Sequence, residues 1–468
     1  MEGWPGVSLM AQVLRHRPLL LLAIGFVLGL TLREYPWNAL FLLPLAFVAG
    51  SGARCLIFVV GFAVGGLLSP TVPTKGIEST QYVDEPAVVV SVPRLYPDRI
   101  AYEAEIRGRR VTVVESVDQD RSLGDRLQLS ALVHPLREGS ESYSLAKGIV
   151  GRCEPMEVRT VSQGPAWYRW AAGVRRSFVG FTKASMSPEH AATLDALCFN
   201  VEGGLSDQFE SDLRDTGTIH IISASGLHVV LLAAALELLL GLLPIARWVR
   251  LILIGVLLAF YAAAAGLQPA ILRTILMAMA TLTAYLWRRE GDLLSSLSLA
   301  AIAYLAYEPL GIYNIGFQVS FLTVGAFALF SRVEESYPST ARGLITEQTV
   351  QAFRTTLIAY GASVPILAFY FGAVSIVAVP TNILIVPVVS VLVVGGMAAF
   401  GLSCLLSGAG FWVAGSLLDP LAGFLKWLLG LLGNLSLSTW SGTYFSGYLL
   451  VAVYALILPW VRERVRPA

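Results

Sequence analysis

Asp212–Leu240, DLRDTGTIHIISASGLHVVLLAAALELLL, is a stretch that begins polar and ends as an apolar run long enough to enter a bilayer. Where its two halves meet, His220, Ser225, Gly226 and His228 lie among isoleucine, leucine and valine. Hydrocarbon offers polar groups no water, so these residues are expected to face protein or a water-filled cavity. For the serines, a simple contact between packed helices is the alternative interpretation. The stretch therefore predicts a polar site inside a membrane-spanning bundle.

The composition is that of a polytopic membrane protein. Of 468 residues, 55% are hydrophobic and 14% are charged, whereas charged residues make up roughly 25% of an ordinary soluble domain. The formal net charge of +1 excludes a globally basic surface, so any surface for a polyanion must be local. The four cysteines are scattered without a CxxC pair, which indicates neither a zinc site nor a disulfide framework.

Apolar runs predict about twelve membrane segments. They fall into an N-terminal group over residues 1–70 and a larger domain over residues 190–468. The runs are 18–32, 37–50, 54–68, 219–243, 251–265, 270–287, 293–307, 312–330, 353–371, 375–400, 411–432 and 444–460. If every run crosses, the positive-inside rule places both termini in the cytoplasm. Runs 375–400, which contains prolines, and 411–432, which contains Lys426, are the two that could fail to cross.

Residues 81–160 alternate polar and apolar side chains in short runs separated by turn residues. This pattern predicts five or six strands in a small all-β barrel or sandwich, and the length suits an oligonucleotide-binding fold (OB-fold). The predicted fold class is a polytopic α-helical membrane protein with an inserted small all-β barrel domain, OB-fold-like, on the outer side. Arginines supply the basic side chains of this domain. Nearby acidic side chains nearly balance their charge, so an ordinary solvent-exposed surface is the alternative to a binding surface. They are Arg94, Arg99, Arg107, Arg109 and Arg110.

Residues 165–186, PAWYRWAAGVRRSFVGFTKASM, combine aromatic and basic side chains. Such a segment predicts an amphipathic helix in the membrane interface, with its aromatic rings at headgroup level and its basic side chains reaching water.

Three further polar clusters interrupt the apolar runs. The stretch 261–273 has a Gly-Leu-Gln-Pro break followed by Arg273, which either has a function or is an interfacial arginine. The stretch 307–321 carries Gln318, for which hydrogen bonding between helices is the alternative. The stretch 370–387 has prolines and Asn382, which predict a broken or re-entrant helix that lines a cavity.

Four motifs occur in the order found in ComEC-type competence proteins: HIISASGLHV, GLQPAILR, EPLGIYNIGFQVSFL and FGAVSIVAVPTNILIVP. The resemblance covers roughly residues 195–400. It implies a multi-pass channel that carries single-stranded DNA across the bacterial inner (cytoplasmic) membrane during natural transformation. Residues at the family's motif positions are the hypothetical DNA conduit: His220, Ser225, Gly226, His228, Arg273, Gln318 and Asn382. The β-domain, which resembles the family's outward OB-like domain, would add DNA contacts through the five arginines named above.

Many family members carry a C-terminal metallo-β-lactamase-like domain, whereas this chain has no HxHxDH motif. No metal, cofactor or catalytic residue is therefore expected, and a separate nuclease would be a partner. The sequence also has no GxxxxGK[ST] phosphate loop. Moving a polyanion inward opposes the membrane potential by about 2.3 kcal/mol per charge per 100 mV. A cytoplasmic ATP-driven motor, or capture of the strand on the inner side, is therefore required. An external DNA receptor is expected as a further partner.

Two other functions remain open from the sequence. A secondary transporter for a small anionic or lipid-like solute would share the broken helices and the buried arginine, with the β-domain as an accessory. An intramembrane enzyme would use Ser225 and His228 as nucleophile and base, although no third orienting residue is evident.

Overall fold

A small β-domain is inserted between an N-terminal helix pair and a larger group of helices. The computed structural model describes residues 17–31, 52–70, 72–73, 75–96, 98–116, 119–136, 141–201, 203–222, 226–286, 292–330, 341–371, 373–375, 377–435 and 439–441. The runs predicted at 37–50 and 444–460, both chain termini and Ser225 lie outside these residues.

The two N-terminal helices lie unusually close together. They are α1 (Pro18–Leu30) and α2 (Gly52–Leu67). A methyl group at Gly25 or Gly29 would collide with a backbone carbonyl of α2, and one at Gly61 or Gly65 would collide with a backbone carbonyl of α1. Small residues four positions apart allow membrane helices to bring their backbones together. The glycines of these short runs therefore form the helix contact itself.

The β-domain is a closed six-stranded sheet. Its strands are β1 (Gln81–Val89), β2 (Arg94–Leu95), β3 (Arg99–Ile106), β4 (Arg109–Ser116), β5 (Arg126–His134) and β6 (Ile149–Ser162), and helix α3 (Glu141–Ala146) lies between the last two. The order is β1-β5-β6-β4-β3-β2, and an additional pairing of β1 with β3 closes the barrel. Strands β4 and β6 are parallel, whereas the other pairs are antiparallel. The predicted small β-domain is confirmed.

The barrel interior follows the alternation of the sequence. On β4, for example, Val111 and Val113 are buried. The barrel interior also contains a buried network of three polar side chains. Tyr102 Oη donates to Glu115 Oε1 at 2.7 Å, and Arg121 Nε donates to Glu115 Oε2 at 2.8 Å. Because each buried polar atom has a partner, this network stabilises the barrel without an unpaired charge.

Helices make up most of the remaining fold. They are α4 (Ala166–Ser185), α5 (Pro188–Phe199), α6 (Asp207–Asp215), α7 (Ile219–Ile222), α8 (Gly226–Gly241), α9 (Arg247–Ala264), α10 (Pro269–Leu286), α11 (Leu293–Tyr307), the 3₁₀ turn Pro309–Tyr313, α12 (Ile315–Phe330), α13 (Ala341–Phe371), α14 (Ala378–Leu405), α15 (Ser407–Val413), the π-helical turn Ala414–Leu418 and α16 (Asp419–Gly433). Two short strands, β7 (Ala373–Ser375) and β8 (Thr439–Ser441), pair with each other.

Three helical segments are long and apolar enough to cross a membrane within the described parts of the chain: Arg247–Ala264, Ala378–Leu405 and Gly408–Gly433. Shorter apolar helices accompany them, including those that start at Pro18, Gly226 and Pro269. The total of about twelve crossings stays a prediction that rests on run length.

Both stretches in which the sequence predicts a helix break contain one. Between α9 and α10 the chain does turn, with positive φ angles of 97° at Gly266 and 54° at Leu267. Around Pro387, by contrast, α14 continues without interruption, and the helix break lies earlier, between Phe371 and Ala378. The broken helix predicted over 370–387 is therefore present, but the break precedes both prolines of that stretch, Pro380 and Pro387. A proline within a membrane helix removes a single N–H donor, and neighbouring groups can compensate for that loss.

Lys426, which interrupts the last long apolar segment, has an ion-pair partner. Its ammonium group bonds the Glu189 carboxylate of α5. Nearby, Asp419 accepts hydrogen bonds from the Ser187 hydroxyl at 2.9 Å and lies 3.0 Å from His190 Nδ1. These polar contacts fix the start of α16 against the start of α5.

Candidate functional site

The polar start of α8 lies directly against α10. An ideal methyl group at Gly226 would lie 2.6 Å from Arg273 Nη2 and 2.7 Å from Thr274 Oγ1. Glycine suits this position because a side chain would occupy the space that the guanidinium group fills. Two residues predicted from separate motifs, Gly226 and Arg273, therefore meet in the fold.

Arg273 is a buried cation with neutral partners. The residue is only 8% exposed. Its Nε donates a hydrogen bond to Ser320 Oγ at 2.7 Å, and Nη1 lies 3.9 Å from Met277 Sδ. No carboxylate among the described residues forms an ion pair with it. A charge at membrane depth costs roughly 2.5–3.5 kcal/mol on insertion scales, so a cation without a counter-charge can attract an anion that comes near.

The two histidines of the opening stretch lie on consecutive helices. His220 is exposed on the short helix α7, whereas His228 is fully buried on α8. Ser225 falls between these helices, outside the described residues, so its place in this group stays a prediction.

The two amides predicted for the conduit have different environments. Gln318 Nε2 donates to the carbonyl oxygen of Ile312 at 2.9 Å, and this bond ties α12 to the preceding 3₁₀ turn. Asn382 lies near the start of α14, where its Oδ1 is buried without a hydrogen-bond partner among the described residues. The adjacent Thr381 hydroxyl is buried in the same way. Gln318 therefore has a structural contact, whereas Asn382 retains an unused acceptor.

A second polar region is a cavity of about 170 Å³ where the barrel meets the helices. The barrel contributes the loop 90–94, Glu103, Arg110 and Lys147. The helices contribute Arg175 of α4, the break at 265–269 and the segment 304–314. Two motifs that are separate in the sequence, GLQPAILR and EPLGIYNIGFQVSFL, thus lie against the same barrel face.

The cavity has more basic than acidic side chains. Its basic residues are Arg94, Arg110, Lys147 and Arg175, and its acidic residues are Glu103 and Glu308. Arg110 Nη1 lies 3.2 Å from Glu308 Oε1, and this ion pair joins the barrel to the end of α11. Burial opposes the charge of Arg110, but the carboxylates of Glu308, Glu103 and Glu105 together outweigh burial and raise the pKa of the guanidinium. The excess positive charge makes the cavity suited to an anion.

Arg175 is the functional candidate that sequence reasoning missed. The residue is only 4% exposed, and its Nε is buried without a hydrogen-bond partner among the described residues. Burial, together with the nearby charge of Arg176, lowers its pKa to about 10. Arg176 itself bonds Asp120 at the surface. Helical spacing could have found this residue, since Arg175 lies four positions after buried Ala171 and therefore on the same face.

The five arginines predicted as barrel contacts separate into two groups. Arg94 and Arg110 line the cavity. The others lie elsewhere: Arg99 is over the ring of Tyr96 with 5.1 Å to its centroid, Arg107 bonds Glu85, and Arg109 is exposed. The structure therefore brings two of the five to the junction with the helices.

The chemistry available at both regions is anion binding by guanidinium, ammonium and amide groups. Around the cavity, Tyr307 adds a phenol ring in a residue that is 66% exposed. Within the described ranges, no group of three or more His, Cys, Asp and Glu side chains converges as a metal site requires.

Comparison with known proteins identifies the helical part of the chain. The model of the Competence protein family matches residues 197–465. ComE operon protein 3 of Bacillus subtilis (strain 168) is 29% identical over 249 residues, which is 53% of this chain and 29% of that protein. The uncharacterized protein YcaI of Escherichia coli (strain K12) is 29% identical over 272 residues, 53% of this chain and 34% of that protein.

The chain thus spans about a third of the length of these two curated relatives. No solved structure matches it. The family match includes Gly226, His228, Arg273 and the helical side of the cavity, whereas the barrel and α4 precede it. It covers more than half of the 468 residues, and together with the apolar helices it makes the chain a membrane protein. The chain belongs to the Competence protein family.

Proposed function

We propose that this chain is an inner-membrane channel that moves single-stranded DNA into the bacterial cytoplasm during natural transformation. The observation that carries the proposal is the basic cavity at the junction of the barrel and the helices of the competence domain. A strand that leaves the barrel through this cavity would meet the two motif segments at the mouth of the helical bundle. Family membership supports the same role in DNA uptake.

The barrel topology supports an OB-fold. If the five long strands β1, β3, β4, β5 and β6 are numbered consecutively, their order around the barrel is 1-2-3-5-4-1, with the third and fifth parallel. OB-folds bind oligonucleotides on strands 2 and 3 and on the loops that join strands 1–2 and 4–5. Here those elements supply Glu103, Arg110, Arg94 and Lys147 to the cavity. The OB-fold binding face would therefore be the face that meets the helices.

Inside the bundle, the proposed conduit comprises His220, Ser225, Gly226, His228, Arg273, Gln318 and Asn382. Conduction requires sites that attract an ion but release it again. Arg273 fits this requirement because it is a single buried charge that has hydrogen-bonded neutral neighbours. These side chains offer binding groups, and we assign transport rather than catalysis to this chain.

The energetics require help from other proteins. Each phosphate that moves inward opposes a potential that is negative inside, at about 2.3 kcal/mol per charge per 100 mV. We therefore propose a DNA receptor outside, a separate nuclease for the other strand and an ATP-driven motor in the cytoplasm. The barrel would lie on the outer side, with both chain termini in the cytoplasm.

Transformation of the natural host tests the proposal. We expect deletion of the chain to abolish transformation while double-stranded DNA still binds outside the cell. Wild-type chain should restore uptake, and Arg273→Ala should restore much less at equal expression, because it removes the buried cation. Arg176→Ala, which removes an exposed cation outside the bundle, is the matched control. Normal transformation in the deletion strain would contradict the proposal and favour a small-solute transporter.

A further inference from the structure

We propose that Arg175 is the centre of a phosphate-binding site in the junction cavity, which holds one phosphodiester of a single DNA strand between the barrel and the helices. The proposal rests on the proposed function and adds a binding site to it. Arg175 belongs to α4, outside both the barrel and the region that the family model matches.

The first argument is the missing counter-charge. Arg175 is almost fully buried, and in the described part of the chain its Nε has no hydrogen-bond partner and no carboxylate forms an ion pair with it. The neighbouring charge that helps to lower its pKa is that of another cation, Arg176. A buried charge without a partner is strongly unfavourable, and an anion in the cavity would provide both the charge and the acceptor atoms.

The second argument is the surrounding charge. Arg94 of β2 and Lys147, which follows α3, line the same cavity from the barrel side. Arg110 is there as well, held by Glu308 at 3.2 Å. A phosphate oxygen can take the place of the carboxylate on a guanidinium group, because both accept two parallel hydrogen bonds. The Arg110–Glu308 pair would then open as the phosphate binds.

The third argument favours nucleic acid over a lipid headgroup. Single-strand binders combine cations with aromatic rings on which bases stack. Tyr307 presents such a ring at this cavity, and Gln268 and Asn314 add polar side chains able to contact sugar or base. Trp170 of α4 is an exposed aromatic residue of the kind found at membrane interfaces. It does not line the cavity.

Oligonucleotide binding by the purified full chain tests this site. We would place the chain in phosphatidylcholine nanodiscs and measure fluorescence anisotropy of labelled oligothymidine of about 16 nucleotides. Arg175→Ala should weaken binding about tenfold and reduce the salt dependence by roughly one phosphate contact. Arg176→Ala is the matched control on the same helix and should leave affinity and salt dependence unchanged, because its partner is Asp120. Arg175→Lys should retain part of the affinity.

Glu308→Gln should change the affinity for the oligonucleotide in the opposite direction. Removing this carboxylate frees Arg110 and raises the positive charge of the cavity, so binding should become several-fold tighter. Thermal unfolding of each variant reports on folding. Arg175→Ala should keep or raise the midpoint, since it removes an unpaired buried charge.

Three results would overturn the site. One is wild-type affinity and salt dependence in Arg175→Ala, and another is no oligonucleotide binding by the wild-type chain. The third is stabilisation by added phosphatidylglycerol that Arg175→Ala abolishes while oligonucleotide binding persists, which would identify a lipid site. Arg175-dependent binding combined with normal transformation in the deletion strain would support the site and contradict only the proposed function.

Discussion

Asp195 on α5 is a carboxyl group whose burial has a cost that depends on pH. The residue is buried, and the only described hydrogen bond to its carboxylate is from Thr182 Oγ1 at 2.7 Å. Burial raises its pKa from 3.8 to about 6, although the Thr182 hydroxyl and Lys183 act in the other direction. The folded chain therefore binds the proton more tightly than the unfolded chain. Stability falls as the pH rises from about 4 to about 6 and remains reduced above that range.

Asp195→Asn should relieve this cost, because asparagine resembles the protonated acid and can still accept from Thr182. We expect the variant to be more stable than the wild type at about pH 8, by roughly 2–3 kcal/mol at most, and to differ little at about pH 4. Thermal unfolding midpoints across this range in one detergent would check the prediction. An equal effect at both pH values would contradict it, since the change would then be due to packing.

Gly226 controls the position of the Arg273 guanidinium group. A methyl group there would lie 2.6 Å from Arg273 Nη2, and the flexible arginine would have to move. We expect Gly226→Ala to reduce DNA uptake severalfold with little loss of stability. In an Arg273→Ala background the same change should have no further effect, because coupled residues are not additive.

Gly241→Ala is the control for helix propensity on α8. An added methyl group at that position would be 3.5 Å from the nearest atom, Arg250 Nη1, which is an ordinary contact. Full additivity of Gly226→Ala with Arg273→Ala would contradict a role through the arginine.

At the scale of elements, the α1–α2 pair depends on close backbone approach. Gly29→Val would place its side chain against the carbonyl oxygen of Phe62 on α2. We expect a loss of stability of about 1–3 kcal/mol, the usual cost of overpacking, measured as a lower thermal midpoint. Gly401→Val on α14 is the matched control, since an added methyl group there meets no described atom within 4 Å. An equal loss in both variants would show that helix propensity, and not the contact, is responsible.

Element identity could be predicted from the sequence where local periodicity or turn chemistry decides it. The alternation over residues 81–160 predicted the strands, and Gly266 with Pro269 predicted the turn before α10. The break within 370–387 was predicted too, but the prolines that indicated it lie inside α14, because a long membrane helix tolerates a proline. The junction cavity could not be predicted, since Arg175 and Arg110 are far apart in sequence and meet only through packing of α4 and the barrel.

For the whole molecule, the proposed function makes the barrel and the helices consecutive parts of one route. The barrel offers several cations at its junction with the helices, whereas the described bundle offers the single buried cation Arg273 beside α8. Because positive charge decreases along the route, a strand would bind firmly at the entrance. Inside the bundle it would bind only weakly and could therefore move on. It also leaves the direction of movement to the electrical potential and to other proteins.

Purified chain in vesicles should therefore move single strands passively, in a direction set by voltage. With a potassium gradient and valinomycin, an interior-positive potential should speed the uptake of external oligothymidine and an interior-negative potential should slow it. The physical reason is the energy of about 2.3 kcal/mol per charge per 100 mV. Protection of the labelled strand from added nuclease measures uptake, and protein-free vesicles give the background. Equal uptake at both polarities would contradict a voltage-driven conduit, because every phosphate that crosses must respond to the field.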